Sequence, residues 1–368
     1  MRPFVCCLAL LLPACVTTSP AAPPPEALSS IPSAGPYTLT GVVLPGGEAT
    51  RIAVVDGRIA AVGPEASGGP VVDLGGVVVH PAFIDSHVHL AFRPEAEAMA
   101  AGGIAAAVDL AAPLSFLADP PTQPRILNAG PMVTAVGGYP TRSWGAGGYG
   151  IECADRDEAL AAVDTLVEAG ADLIKVPLHG EPELSDATLS AVVTRAHDRG
   201  LKVAAHALSS DGALRAAAAD VDVLAHTPVQ TLSDEAVQAW SGRAVISTLR
   251  AFGGSDAAVE NLRRLRAAGA TVLYGTDFGN TRTAGIDGDE LSLLASAGLD
   301  AAAISASGTE HAAAFWSLED LGGLAPGKAA SFLFLDADPL LDPTTLARPT
   351  GVLLDGRPVQ QASSPGWR

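Results

Sequence analysis

The chain has 368 residues, 48% of them hydrophobic and 17% charged, with a formal net charge of −18. That length can bury one large α/β core and a small companion domain. The acidic balance excludes nucleic acid and anionic membrane faces as electrostatic partners, and neither a Walker-type phosphate loop nor a dinucleotide fingerprint occurs. Cys6, Cys7 and Cys15 lie among the first residues and only Cys153 lies in the body, so no disulfide framework is expected in the folded domain.

In residues 1–15, Arg2 precedes an apolar run from Phe4 to Leu12. The run is too short to span a bilayer and has the proportions of a signal-peptide core. Leu12-Pro13-Ala14-Cys15 resembles the lipobox of bacterial lipoproteins, which implies cleavage and lipidation at Cys15. An ordinary signal peptide, cut a few residues later, is the alternative. Residues 16–36 are rich in Pro, Ala, Ser and Thr and read as a flexible tether. Together these segments predict an exported lipoprotein on a periplasmic or outer-membrane face, in contact with the membrane only through its lipid.

Residues 37–80 read as short strands broken by turns, with a hairpin signal at Asp56-Gly57. Residues 325–362 have the same character, with strand-like stretches over 330–335 and 351–354 and a turn at Asp355-Gly356. Each part has too few strands to be stable alone, so both chain ends are expected to join in one small β-sandwich domain. Between them, over residues 81–324, strand and helix patterns alternate. Strand-like runs cover 77–84, 105–111, 125–133, 173–178, 202–208, 223–226, 245–249 and 271–276. Asp155 with Glu158, and Ser185, mark helix starts; Gly170, Gly200 and Gly269 mark helix ends, the last closing a helix over 261–268. No helix is expected between the second and third strands. Eight strands alternating with helices over ~250 residues predict a (β/α)8 TIM barrel.

In such a barrel the chemistry gathers at the C-terminal ends of the strands. His87 and His89 end the first strand and, two residues apart, project to one face. Lys175 lies inside the fourth strand, His206 ends the fifth, His226 the sixth and Asp277 the eighth. Neutral imidazoles and carboxylates suit zinc and similar ions. A lysine in an apolar strand cannot cheaply stay charged; as the free amine it can take up CO2 and become a carbamate able to bridge two cations. Two divalent ions, zinc foremost, could share a hydroxide and polarise a scissile carbonyl. Asp277 could bind one ion and carry the proton to the leaving nitrogen. Plainer readings stay open for the residues taken singly: Lys175 as a buried-stem lysine paired with a carboxylate, and His206 and His226 as satisfied core histidines. His179, just past the fourth strand, and Tyr139 are candidates for substrate contact.

These motifs resemble the amidohydrolase superfamily. Pro81-Ala82-Phe83-Ile84-Asp85-Ser86-His87-Val88-His89 is similar to its first-strand signature, and Ala171-Asp172-Leu173-Ile174-Lys175 to the carboxylated-lysine strand of the imidazolonepropionase-like and Xaa-Pro dipeptidase-like branch. The stretches ending in His206 and His226, Gly275-Thr276-Asp277, the run from Glu290 to Gly298 and the run from Gly322 to Ala330 resemble the same branch. The resemblance implies His87, His89, Lys175, His206, His226 and Asp277 as metal ligands, with Asp277 also the catalytic proton shuttle. Two places depart: Ala105-Ala106-Ala107-Val108-Asp109 stands where the branch has Thr-Thr-Val-Arg-Asp, and Gly137-Gly138-Tyr139 where it has Gly-Gly-His. The expected function is a metal-dependent amidohydrolase that cleaves an amide, cyclic amide or dipeptide bond. A deaminase of the same superfamily is the alternative enzyme, and Lys175 argues against it. A non-catalytic surface lipoprotein that only binds ligand or metal is the other alternative, and the complete ligand set argues against that.

Overall fold

Alternation with period two decides how the chain ends fold. In the computed structural model, which describes residues 25–360, the strand Val71–Pro81 lies at the centre of a seven-stranded sheet. It runs parallel to Tyr37–Val43 and antiparallel to Phe332–Leu335. Ala49–Val55 and Arg58–Val62 extend the sheet beyond the first neighbour, and Gly351–Leu354 and Arg357–Pro358 beyond the second. Val77, Val79, Phe332, Phe334 and Leu353 enter a core that belongs to this sheet. The residues between them, Val78, Leu333, Val352 and Leu354, pack against the larger body. Side chains alternate across a strand, so one sheet serves two cores. Its hairpin turn is the expected one: Asp56 and Gly57 both have positive φ, at 49° and 74°, as a two-residue primed turn requires.

The larger body is α/β. Phe83–Val88, Ile104–Asp109 and Arg125–Asn128 form one parallel set. Leu173–Leu178, Lys202–Ala207, Val223–Leu224, Ala244–Ile246 and Thr271–Leu273 form a second, in sequence order. Two seams join the sets. At one, Ser86 N donates to Tyr274 O at 2.9 Å and His89 N to Phe278 O at 2.7 Å; at the other, Asp172 N donates to Asn128 O at 2.8 Å. The helices Arg156–Glu168 and Asp186–Asp198 start where expected, because Asp155 accepts from Glu158 N and Ser185 from Thr188 N.

Several boundaries differ from the sequence reading. The run expected over 77–84 is two strands that part at Ala82, since Pro81 lacks the N–H that would continue the first ladder. The run over 125–133 is broken at Gly130-Pro131, where Gly130 takes φ +67°; Met132–Ala135 then pairs with Gly150–Cys153 instead. The helix expected over 261–268 runs Asp256–Ala267, because Ser255 caps it through Ala258 N. A short 3-10 turn, Leu114–Ala118, occupies the connector expected to be irregular. The expected tether is partly packed: Pro25–Ser29 is helical, and Ala27, Leu28 and Ile31 lie against the core of the seven-stranded sheet. The signal segment 1–15, Cys15 and residues 16–24 lie outside the described residues. Among the described residues no helix is long and apolar enough to cross a membrane.

Candidate metal and active site

Strand register decides which side chains meet. Lys175 is paired with Ala204 in the parallel ladder, so Lys175 and His206, two residues past Ala204, face the same side. His226 follows the next strand, Val223–Leu224, by two residues, His87 and His89 come from the end of Phe83–Val88, and Asp277 follows Thr271–Leu273. All six are buried and line one cavity of about 190 Å3. His87 Nε2 lies 3.2 Å from His89 Nε2 and 3.5 Å from Asp277 Oδ1, and His89 Nε2 lies 3.1 Å from the same oxygen. His87, His226 and Asp277 bring ligand atoms within 4.8 Å of one another.

These groups are held from behind. His87 Nδ1 donates to Ala225 O at 2.7 Å, which leaves the Nε2 lone pair facing the cavity. His226 Nδ1 lies 3.0 Å from Thr248 Oγ1. Asp85 accepts from the Thr276 hydroxyl at 2.6 Å, and from Thr276 N and His87 N, each at 3.1 Å. It thereby ties the strand end carrying His87 to the segment carrying Asp277. Asp109 does similar work beyond His89, accepting from Leu90 N at 2.7 Å and Ala111 N at 3.1 Å. Asp277 itself accepts from Asn280 Nδ2 at 3.0 Å and holds a positive φ of 54°.

Burial, reinforced by Lys175 and the neighbouring imidazoles, holds His87, His206 and His226 well below the usual imidazole range. All three are therefore neutral, the form that binds metal. Burial also lowers Lys175 to about 7, against the pull of Asp277, and raises Asp85 to about 7 and Asp109 to about 6. His89 Nδ1, Lys175 Nζ and His206 Nε2 are buried without a hydrogen-bond partner. Buried polar atoms are ordinarily satisfied. His89 presents its other nitrogen, Nε2, to the cluster. His206 Nε2 and Lys175 Nζ, orphaned beside the His–His–Asp cluster, are what a bound cation would satisfy, directly or through a carbamate on the lysine, and imidazole with carboxylate suits a divalent ion of the zinc type. The residues present fit the metal.

Both expected substrate contacts lie at the rim, in different positions. Tyr139 lines the cavity, stacked on His206 at 4.8 Å between centroids. His179 is exposed, edge-on to Tyr139 and His206 at 5.5 and 5.2 Å, and is not among the residues lining the cavity. Trp144, Phe252, Met132 and Asn280 also line it; sequence reasoning missed them, as it missed the supporting role of Asp85. The signal for Asp85 was present, a carboxylate two residues before His87 in an apolar run. Val108, standing where the branch has arginine, is buried in its strand away from the cavity. The remaining groups are structural: His80 bonds Pro81 O and Ser305 Oγ, His197 meets Asp222 at 2.9 Å, and burial pushes the Cys153 thiol up to about 11, which leaves it inert.

An α/β fold with a buried His–His–Asp cluster at the ends of parallel strands defines a class, the candidate metallohydrolases. Comparison narrows it. The chain matches the model of the amidohydrolase family over residues 78–359, most of its length, and belongs to that family. It is a hydrolase acting on carbon–nitrogen bonds. It is 29% identical over 367 residues to an uncharacterised protein of Mycobacterium tuberculosis, covering 86% of this chain and 94% of that protein. It is 28% identical over 377 residues to the imidazolonepropionase of Streptomyces avermitilis, covering 86% and 85%. The crystal structure of a Xaa-Pro dipeptidase with methionine in its active site shares the fold, with a TM-score of 0.76 at 20% identity over 88% of this chain and 99% of that one.

Proposed function

We propose that this chain is a metal-dependent amidohydrolase that cleaves an amide, cyclic amide or dipeptide bond in a small molecule with the help of two divalent ions. The observation that carries the reading is Lys175 Nζ, buried and unpartnered in the midst of the His and Asp cluster. As a neutral amine it can attack the carbon of CO2 and lose a proton, giving a carbamate. That carbamate, His87, His89, His206, His226 and Asp277 would hold the ions. Bound there, the ions supply Lewis acidity toward the scissile carbonyl and a lowered pKa for the attacking water.

The protein's own groups do the rest. Asp277 Oδ1 takes the proton of the attacking water and delivers it to the departing nitrogen. Asn280 Nδ2 holds that oxygen toward the cavity. Asp85 keeps the two strand ends in register, so that the proton carrier and the His-x-His pair stay together. The two seams between the parallel sets support a closed (β/α)8 barrel, and the shared core of the seven-stranded sheet supports a small β-sandwich. Lipidation at Cys15 would anchor the domain at a membrane surface. Metal analysis tests the centre. Purified protein should hold about two divalent ions per chain, and Lys175→Ala should lower both metal content and activity. Unchanged occupancy in that variant overturns the bridging role.

A further inference from the structure

Three of the four imidazoles that line the cavity each lie against an aromatic ring. Trp144 lies 5.1 Å from His89, Tyr139 stacks on His206 at 4.8 Å, and Phe252 meets His226 edge-on at 5.0 Å. All three rings line the cavity together with Met132 and Ala251. The collar is braced, since Trp144 Nε1 donates to Tyr139 Oη at 2.7 Å. It also continues outward: Phe92, 47% exposed, lies 5.8 Å from Trp144. Among the described residues the wall of the cavity has no arginine, and its one lysine, Lys175, sits at the buried centre. The remaining polar groups of the wall, Asp277 and Asn280, are bonded to each other.

A group that reaches the centre must therefore lie against three aromatic faces and a thioether. An apolar group gains there by losing water, at roughly 25 cal/mol for each Å2 of apolar surface, and by stacking. A carboxylate beside the scissile bond would lose its hydration with no guanidinium or ammonium of the collar to replace it. From this collar we infer the substrate class: an uncharged amide whose group next to the scissile bond is aryl or branched alkyl, rather than a dipeptide ending in a free carboxylate. The inference rests on the proposed hydrolysis at this site and narrows it. The cavity, at about 190 Å3, admits one compact group of that kind at a time.

The test uses matched pairs, an N-acyl anilide and its ortho-carboxylate twin, which carries the charge beside the scissile bond, on the metal-loaded full chain. Turnover and binding are measured separately, binding by isothermal titration calorimetry, which does not depend on Trp144 as a reporter. The uncharged member should bind and turn over better by about tenfold or more. Trp144→Arg should reverse the order toward the carboxylate twin, and Trp144→Phe should keep it. Equal or tighter binding of the carboxylate twin to the wild type overturns the inference. Preferential binding of the neutral twin without turnover of either leaves the assigned ligand class standing and sinks the hydrolytic reading instead.

Discussion

Replacing Lys175 by methionine should make the protein more stable and inactive. Methionine keeps the unbranched stem and removes the amine. In the wild type, burial lowers Lys175 from the ordinary 10.5 to about 7. At pH values between these limits the native state has released the proton and the unfolded chain still holds it, so unfolding takes up a proton. Stability then rises with pH across the window. At about 1.4 kcal/mol for each pH unit, the whole window amounts to about 5 kcal/mol, a ceiling that local relaxation and water entry reduce. Lys175→Met has no such slope. It should be more stable than the wild type by up to that amount at pH 7, and the gap should close toward pH 10.5. The assay is urea unfolding of chelator-treated protein in CO2-free buffer at pH 7 and pH 10, with unchanged denaturant slopes in both proteins. A gap of the same size at both pH values refutes the argument that Lys175 is forced neutral by its surroundings.

Asp277→Asn should leave a folded protein that retains much of its metal but loses about 10²–10⁴ in rate; a folded, metal-loaded variant within a few-fold of wild type on a true substrate reduces Asp277 to a ligand. Gly308→Ala should cost about 1–3 kcal/mol, because the added methyl would collide with the buried ring of Phe83 at the base of the His-x-His strand. An unshifted thermal midpoint would show that this packing yields. Labelled fatty acid should enter the wild type and not Cys15→Ala when the protein is made in a bacterium that processes lipoproteins, and equal labelling of both rejects the anchor.

The cluster residues were legible in the sequence because each is a polar break in an apolar run. His87 and His89 share a face by simple alternation, His206 lies at the end of Lys202–Ala207, Asp277 follows the apolar strand Thr271–Leu273, and Lys175 interrupts Leu173-Ile174 and Val176 where a charge has no place. The collar was not legible. Trp144 sits in a turn and Phe252 in the short 3-10 helix Arg250–Phe252, and a ring on such a connection is placed by what it packs on, which no periodicity encodes. Asp85 escaped notice because its partners, Thr276 and His87 N, belong to different ends of the parallel body. The strand break at Gly130-Pro131 was written in the chemistry of those two residues. The new partner of Met132–Ala135, by contrast, depended on the long loop that returns through Gly150. Ile31 shows the converse failure: a Pro-rich composition read as tether conceals an apolar residue with a core to enter.

The seven-stranded sheet imposes an order on synthesis. Its central strand, Val71–Pro81, emerges early, but the neighbour on one side, Phe332–Leu335, is made only after the entire parallel body. Until then the strand presents an open hydrogen-bonding edge next to apolar faces, the feature that invites pairing with another chain. A non-local pairing of this kind also forms slowly. The nascent protein is thus held short of its final form until its last segments are available. A nonsense mutation between Leu273 and Phe332 would release a chain with the parallel strands complete and that edge still bare, and such a product should aggregate or be degraded rather than persist as a smaller enzyme.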